Sequence, residues 1–129
     1  MDRQEIERLV GEVLSSGNWM IRRSDGGRAY GGFRWNEVGE WTEAPDFINN
    51  KECGFGLHGN GPNSSGYWGD GIDIDFCEVD PVDLVDLGDK VKCRRARILL
   101  RNELPEGLKV GGYLDIRNTG ITEIPEGLE

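Results

Sequence analysis

Residues 53–61 read CGFGLHGNG and hold the only histidine of the chain, His58, five residues after Cys53 and among four glycines. Several chemistries compete for such a stretch. Zinc would draw on Cys53, His58, Cys77 and Cys93, which add up to four ligands. No Cys-x2-Cys knuckle joins any two of them, however, and Cys77 and Cys93 fall in strand-like runs where cysteine is often a small buried hydrophobe. Gly54-x-Gly56-x-x-Gly59 has the spacing of a dinucleotide cradle. Yet FINNKE before it is a poor buried strand, and NGPNSSG after it cannot open the helix whose N-terminus a pyrophosphate needs. Calcium or magnesium at Asp70, Asp73 and Asp75 lacks the glycine-turned loop of an EF-hand. A nucleophilic Cys53 activated by His58 has no evident third group to orient the pair. The favoured reading is structural. The glycines allow close backbone approach, His58 turns inward to satisfy backbone groups, and Cys53 packs beneath it. No cofactor and no metal is implied.

The elements that position this turn can be read in order. Asp2 and Glu5 form a capping-box pattern, and Ile6, Leu9, Val10, Val13 and Leu14 follow with helical spacing until Ser15-Ser16-Gly17 stops them. NWMIRR and RAYGGFRW flank Ser24-Asp25-Gly26-Gly27, a hairpin signal, and VGEWTEAPDF gives a third extended piece. Of Trp19, Trp35 and Trp41, at least two are expected in the core. Residues 54–71 read as a glycine-rich loop. IDIDFCEV is the clearest strand, VDLVDL a short strand or helical turn, and VKCRRARILLR a long strand whose alternation slips at Arg94 and Arg95, as at a bulge.

Charge is segregated. Asp70, Asp73, Asp75, Glu78, Asp80, Asp83, Asp86 and Asp89 occur with no basic residue between them, and Lys90, Lys92, Arg94, Arg95, Arg97 and Arg101 follow with no acidic one. Antiparallel pairing of the two runs would set opposite charges across the strands. The 129 residues carry a net charge of −9, which repels nucleic-acid backbones and anionic membranes but admits a basic protein partner. Residues 1–14 are amphipathic and charged rather than a leader, and no apolar run approaches ~20 residues. With an odd number of cysteines, this favours the cytoplasm.

LPEGL at 104–108 recurs as IPEGL at 124–128, with Leu114, Ile116 and Ile121 between. The spacing resembles the bacterial leucine-rich repeat of the LPxxL type, which implies one strand and turn of a solenoid. One full repeat cannot bury a core alone, so the coil is expected to lean on the preceding domain. The resulting expectation is an α+β fold. An N-terminal helix packs on a twisted, mostly antiparallel sheet over residues 1–103, and a leucine-rich-repeat-like coil spans 104–129.

Cys53, Gly56, Leu57 and His58, then Tyr67 and Trp68, then Val79, Pro81, Asp83 and Val85, then Lys90, Lys92, Arg97, Ile98 and Leu99 form an ordered set covering about half the chain. The set resembles an uncharacterised family of phage and prophage proteins, which includes a domain of phage rapid-lysis accessory proteins. The resemblance implies a phage-associated α+β domain and brings no activity with it. The same turn, aromatic and late strand carboxylate are also similar to the middle of the ADP-ribosyltransferase superfamily. That likeness implies an NAD-using enzyme with Arg22 or Arg23 on a phosphate, Glu78 at the oxocarbenium-like centre and His58 in the turn. The preferred expectation is a phage accessory protein that binds and inhibits a host protein, such as a basic, nucleic-acid-binding defence nuclease. The contact would be Tyr67, Trp68, Asp70, Asp73, Asp75, Asp83 and Asp86, a nucleic-acid-like acidic surface. A zinc-stabilised interaction module is the remaining alternative. No direct nucleic-acid or membrane contact and no oligomeric state are implied.

Overall fold

The computed structural model of the chain describes residues 1–24, 34–45, 47, 56–64 and 73–108. The capping signals act as the sequence suggests. Helix α1 spans Arg3–Ser16. The backbone N–H of Glu5 donates to the Asp2 carboxylate at 2.8 Å, and Gly17, at φ 78°, donates its N–H to the Val13 carbonyl. Leu9, Val10 and Val13 are buried, with Ile6 and Leu14 packed beside them.

Seven strands follow: β1 (Trp19–Ser24), β2 (Trp41–Glu43), β3 (Leu57–Gly59), β4 (Asp73–Val79), β5 (Val85–Asp86), β6 (Val91–Cys93) and β7 (Arg95–Arg101). They form two antiparallel sheets among the described residues, ordered β1-β4-β7-β2 and β3-β6-β5. The α+β class is therefore present. Alternation gives the larger sheet two apolar faces. Trp19, Ile21, Ile74, Phe76, Leu99 and Leu100 pack with α1, and the Trp19 and Phe76 rings lie 5.6 Å apart. Burying a side chain the size of Phe76 stabilises by about 2–3 kcal/mol. Met20, Cys77, Val79, Ala96 and Ile98 face the other way. There they meet Leu57 and Cys93 of the smaller sheet, together with Trp35.

Three elements differ from expectation. The glycine-rich stretch is not all loop, because Leu57–Gly59 is strand β3, paired with β6. VKCRRARILLR is two strands, not one. It breaks at Arg94, where the chain leaves the smaller sheet and enters the larger. The bulge lies elsewhere, where Phe76 pairs with Leu100 and Cys77 with Ile98. Leu99 is the extra residue, and both Leu99 and Leu100 enter the helix-side core. Trp19 and Trp35 are buried and Trp41 is half-buried. Leu104 and Leu108 of the first LPEGL also sit in the helix-side core. Residues 109–129 of the repeat-like coil, residues 25–33 of the expected hairpin (most of its turn and of its second arm), and Cys53, Tyr67, Trp68 and Asp70 lie outside the described residues. Among those described, no helix is long and apolar enough to cross a membrane.

Candidate functional site

The glycine turn is built for contact between backbones. Ile21 of β1 and Asn60, just past β3, exchange backbone hydrogen bonds of 2.8 Å in both directions, which ties the smaller sheet to the edge of the larger. A Cβ on Gly59 would fall 2.7 Å from the Met20 sulfur and 3.1 Å from the Ile21 carbonyl oxygen. A Cβ on Gly56 would fall 2.7 Å from Cγ of Lys92. Glycine is what lets the two sheets close at this seam.

Register decides the fate of the chemical constellations. His58 pairs with Lys92 and Leu57 with Cys93, so His58 and Cys93 project from opposite faces of the smaller sheet. The zinc set Cys53, His58, Cys77 and Cys93 is thus divided. Its two described thiols are fully buried in an apolar cluster, where desolvation pushes Cys93 up to about 12 and raises Cys77 well above the ordinary thiol value. No group of three or more potential ligands is gathered among the described residues. The enzyme set divides only for one of its arginines. Arg22 pairs with Asp75 and Glu78 with Trp19, so Arg22 and Glu78 leave opposite faces of the larger sheet, whereas Arg23, paired with Ile74, shares the face of Glu78 four positions along the strand. Glu78 is engaged instead with Arg97, Oε1 to Nε at 2.6 Å.

The acidic run finds its partners in the basic run. Asp75 accepts from Arg101 at 2.8 Å, Glu78 from Arg97, Asp80 from Arg95 at 3.3 Å and Asp83 from Arg94 at 2.9 Å. Asp73 accepts from the Asn102 amide at 3.0 Å, and Asp86 accepts from the Gly88 backbone N–H at 2.8 Å. Asp75 is wholly buried and cannot belong to a contact surface, which corrects its assignment as a binding residue. Asp73 and Asp83 are half-buried, and Asp86 is exposed. Trp41 lies between the guanidinium groups of Arg95 and Arg97, at 4.3 and 4.6 Å from its ring centre.

Sequence reasoning did not anticipate the cations drawn inside. Arg22, Lys90 and Lys92 are buried, Lys92 completely. The guanidinium of Arg22 stacks 4.2 Å above the Trp35 ring, and its Nε lies 4.0 Å from Asp75. Burial pulls its pKa down, against the pull of Asp75. The signal was present in the sequence. Met20, Arg22 and Ser24 share one strand parity, and Met20 marks that parity as buried.

The surface is correspondingly acidic. Among the described residues, the exposed carboxylates are Asp2, Glu5, Glu7, Glu12, Glu37, Glu40, Glu43, Asp86, Asp89, Glu103 and Glu106, and the exposed basic side chains are Arg3, Arg8, Arg34 and Arg94. Two of these four are held by glutamates: Arg3 by Glu7 and Glu103, and Arg8 by Glu12. The turn after β4 also presents bare apolar side chains. Val82 is 68% exposed and Leu84 37%. Comparison with protein-family models, with curated proteins and with solved structures returned no match.

Proposed function

We propose that the protein is a phage or prophage accessory protein, acting in the bacterial cytoplasm, that binds a basic, nucleic-acid-binding host protein and inhibits it. The observation that carries the reading is the imbalance of exposed charge, with carboxylates outside and Arg22, Lys90 and Lys92 inside. Such a surface steers toward a cationic groove and competes with nucleic acid for it. The turn bearing Val82 and Leu84 supplies exposed apolar side chains, with exposed Asp86 and Asp89 following in the sequence. The phage origin in this reading rests on the resemblance of the ordered residue set from Cys53 to Leu99 to phage proteins. The burial of Cys77 and Cys93, and the opposite faces taken by His58 and Cys93, give catalysis no comparable support.

The test is affinity capture from bacterial lysate against an equally acidic control protein. The expected result is enrichment of a basic nucleic-acid-binding protein, released by duplex DNA and by raising salt from about 0.05 to about 0.5 M. Reversing Asp86 and Asp89 to lysine should weaken capture. A captured protein indifferent to DNA and salt, or no enrichment above the control, refutes the proposal.

A further inference from the structure

Arg22 carries an unanswered hydrogen-bonding end. Its side chain is only 5% exposed, and both terminal nitrogens, Nη1 and Nη2, are buried with no hydrogen-bond partner among the described residues. Asp75 is adjacent but already occupied. Its Oδ1 accepts from Arg101 Nε at 2.8 Å, and its Oδ2 takes the Ser24 hydroxyl at 3.1 Å and Arg101 Nη2 at 3.5 Å. What reaches Arg22 is a 4.0 Å approach of Asp75 Oδ2 to Nε, beyond hydrogen-bonding distance. Trp35 covers one face of the guanidinium. The edge that donates two parallel N–H bonds is the part left over.

Charge points the same way. The cluster sets two guanidinium groups, Arg22 and Arg101, on the one carboxylate of Asp75, while Asp73 and Glu37 act on Arg101 and not on Arg22, so Arg22 holds its positive charge with only a shared counter-ion. Arginine cannot shed that charge by deprotonation. A buried donor fork without an acceptor is costly, and an oxyanion supplies the missing charge and both acceptors at once.

We infer that Arg22, backed by Trp35 and braced by the Asp75–Arg101 pair, is the binding position for one oxyanion, a carboxylate or phosphate group of a small ligand held bidentately by Nη1 and Nη2. The site lies on the face of the larger sheet opposite α1, apart from the acidic exterior, and it requires no protein partner.

The experiment uses the full chain at constant ionic strength, with chloride balancing inorganic phosphate in one arm and acetate in the other. Thermal unfolding should shift upward by roughly 5 °C at about ten times Kd. A response to phosphate alone assigns a phosphoryl ligand, and a response to acetate alone assigns a carboxylate. Arg22→Met should abolish the response while unfolding, without ligand, no lower than the parent, because it removes a buried charge whose counter-ion is shared. Arg22→Lys keeps the charge but loses the planar fork and should weaken binding about tenfold or more. The inference is overturned if neither oxyanion shifts unfolding beyond the chloride control. It is also overturned if Arg22→Met responds as the parent does, or if unliganded Arg22→Met unfolds well below the parent.

Discussion

Replacing acids one at a time along the β4–β7 ladder and in the turn that follows β4 separates burial from charge. Asp75→Asn, Glu78→Gln and Asp83→Asn each remove one negative charge at nearly constant volume. The partners are alike, since each acid faces an arginine at 2.6 to 2.9 Å. Exposure differs. The side chains of the Asp75–Arg101 pair are 0% and 26% exposed, those of Glu78–Arg97 19% and 16%, and those of Asp83–Arg94 28% and 45%. Breaking a buried pair leaves its cation unsolvated and costs about 3–5 kcal/mol, whereas an exposed pair is worth about 0–1 kcal/mol. Asp75→Asn retains one oxygen for Ser24 or Arg101, so its cost should fall near 3 kcal/mol. Glu78→Gln should cost about 1–2 kcal/mol and Asp83→Asn under about 0.5 kcal/mol. Urea unfolding at neutral pH reads these values. With a slope of about 1.5 kcal/mol per molar, the midpoints fall by about 2 M, about 1 M and under about 0.3 M. Adding Arg22→Met to Asp75→Asn should recover part of the loss, since the worst uncompensated cation is gone. The reasoning fails if Asp83→Asn costs as much as Asp75→Asn, or if the latter costs under about 1 kcal/mol.

Gly59→Ala forces a methyl onto the Met20 sulfur and the Ile21 carbonyl, and should cost about 1–3 kcal/mol in the same assay; Gly11→Ala, where a Cβ meets nothing within 4 Å, should be neutral or slightly stabilising. Native alkylation at pH 8, mapped by peptide mass spectrometry, should leave Cys77 and Cys93 unmodified until the chain is unfolded. Their raised thiol pKa values add a pH dependence. The stability that Cys93 contributes is complete below the ordinary value of 9.0 and is lost as pH rises toward about 12, so alkaline unfolding should ease over that window. Asp2→Ala removes the acceptor for the Glu5 N–H and should cost about 1 kcal/mol, read as a lower unfolding midpoint.

Local signals carried much of the fold. The α1 cap and stripe are properties of one short segment, so Asp2, Leu9, Val10, Val13 and Gly17 were readable in place. The pairing of β4 with β7 was also readable, because an acidic run followed by a basic one has few registers that satisfy both. What local pattern could not reveal was depth. Nothing near Asp75 distinguishes it from Asp73. The two share a face of β4, and only the place of Asp73 at the strand end, against Asp75 one step further in, leaves the first half-buried and the second wholly buried. Likewise, β3 was hidden because Gly59 has no side chain to register alternation, and its apolar neighbours are supplied by Met20 and Val91 from distant sequence. The break at Arg94 looked like a bulge because a change of sheet and a bulge both interrupt a period of two.

Depth also relocates the acidic character of the molecule. The stretch from Asp73 to Asp83 is dense in acid in the sequence, but its carboxylates are answered by Asn102, Arg101, Arg97, Arg95 and Arg94. Paired charges present little net field. Among the described residues, the unanswered acidic character is therefore expressed elsewhere, on α1, on the turn at Glu37–Glu43, on Asp86 and Asp89, and near Glu103 and Glu106. The Met1 side chain lies over Gly39, which brings the start of the chain beside that turn. Burying Arg22, Lys90 and Lys92 strengthens the effect, since each cation withdrawn leaves exterior acids without a counter-charge. A cationic partner should consequently meet the edges of this fold, its helix start and its turns, while the ladder between β4 and β7 holds the sheet together.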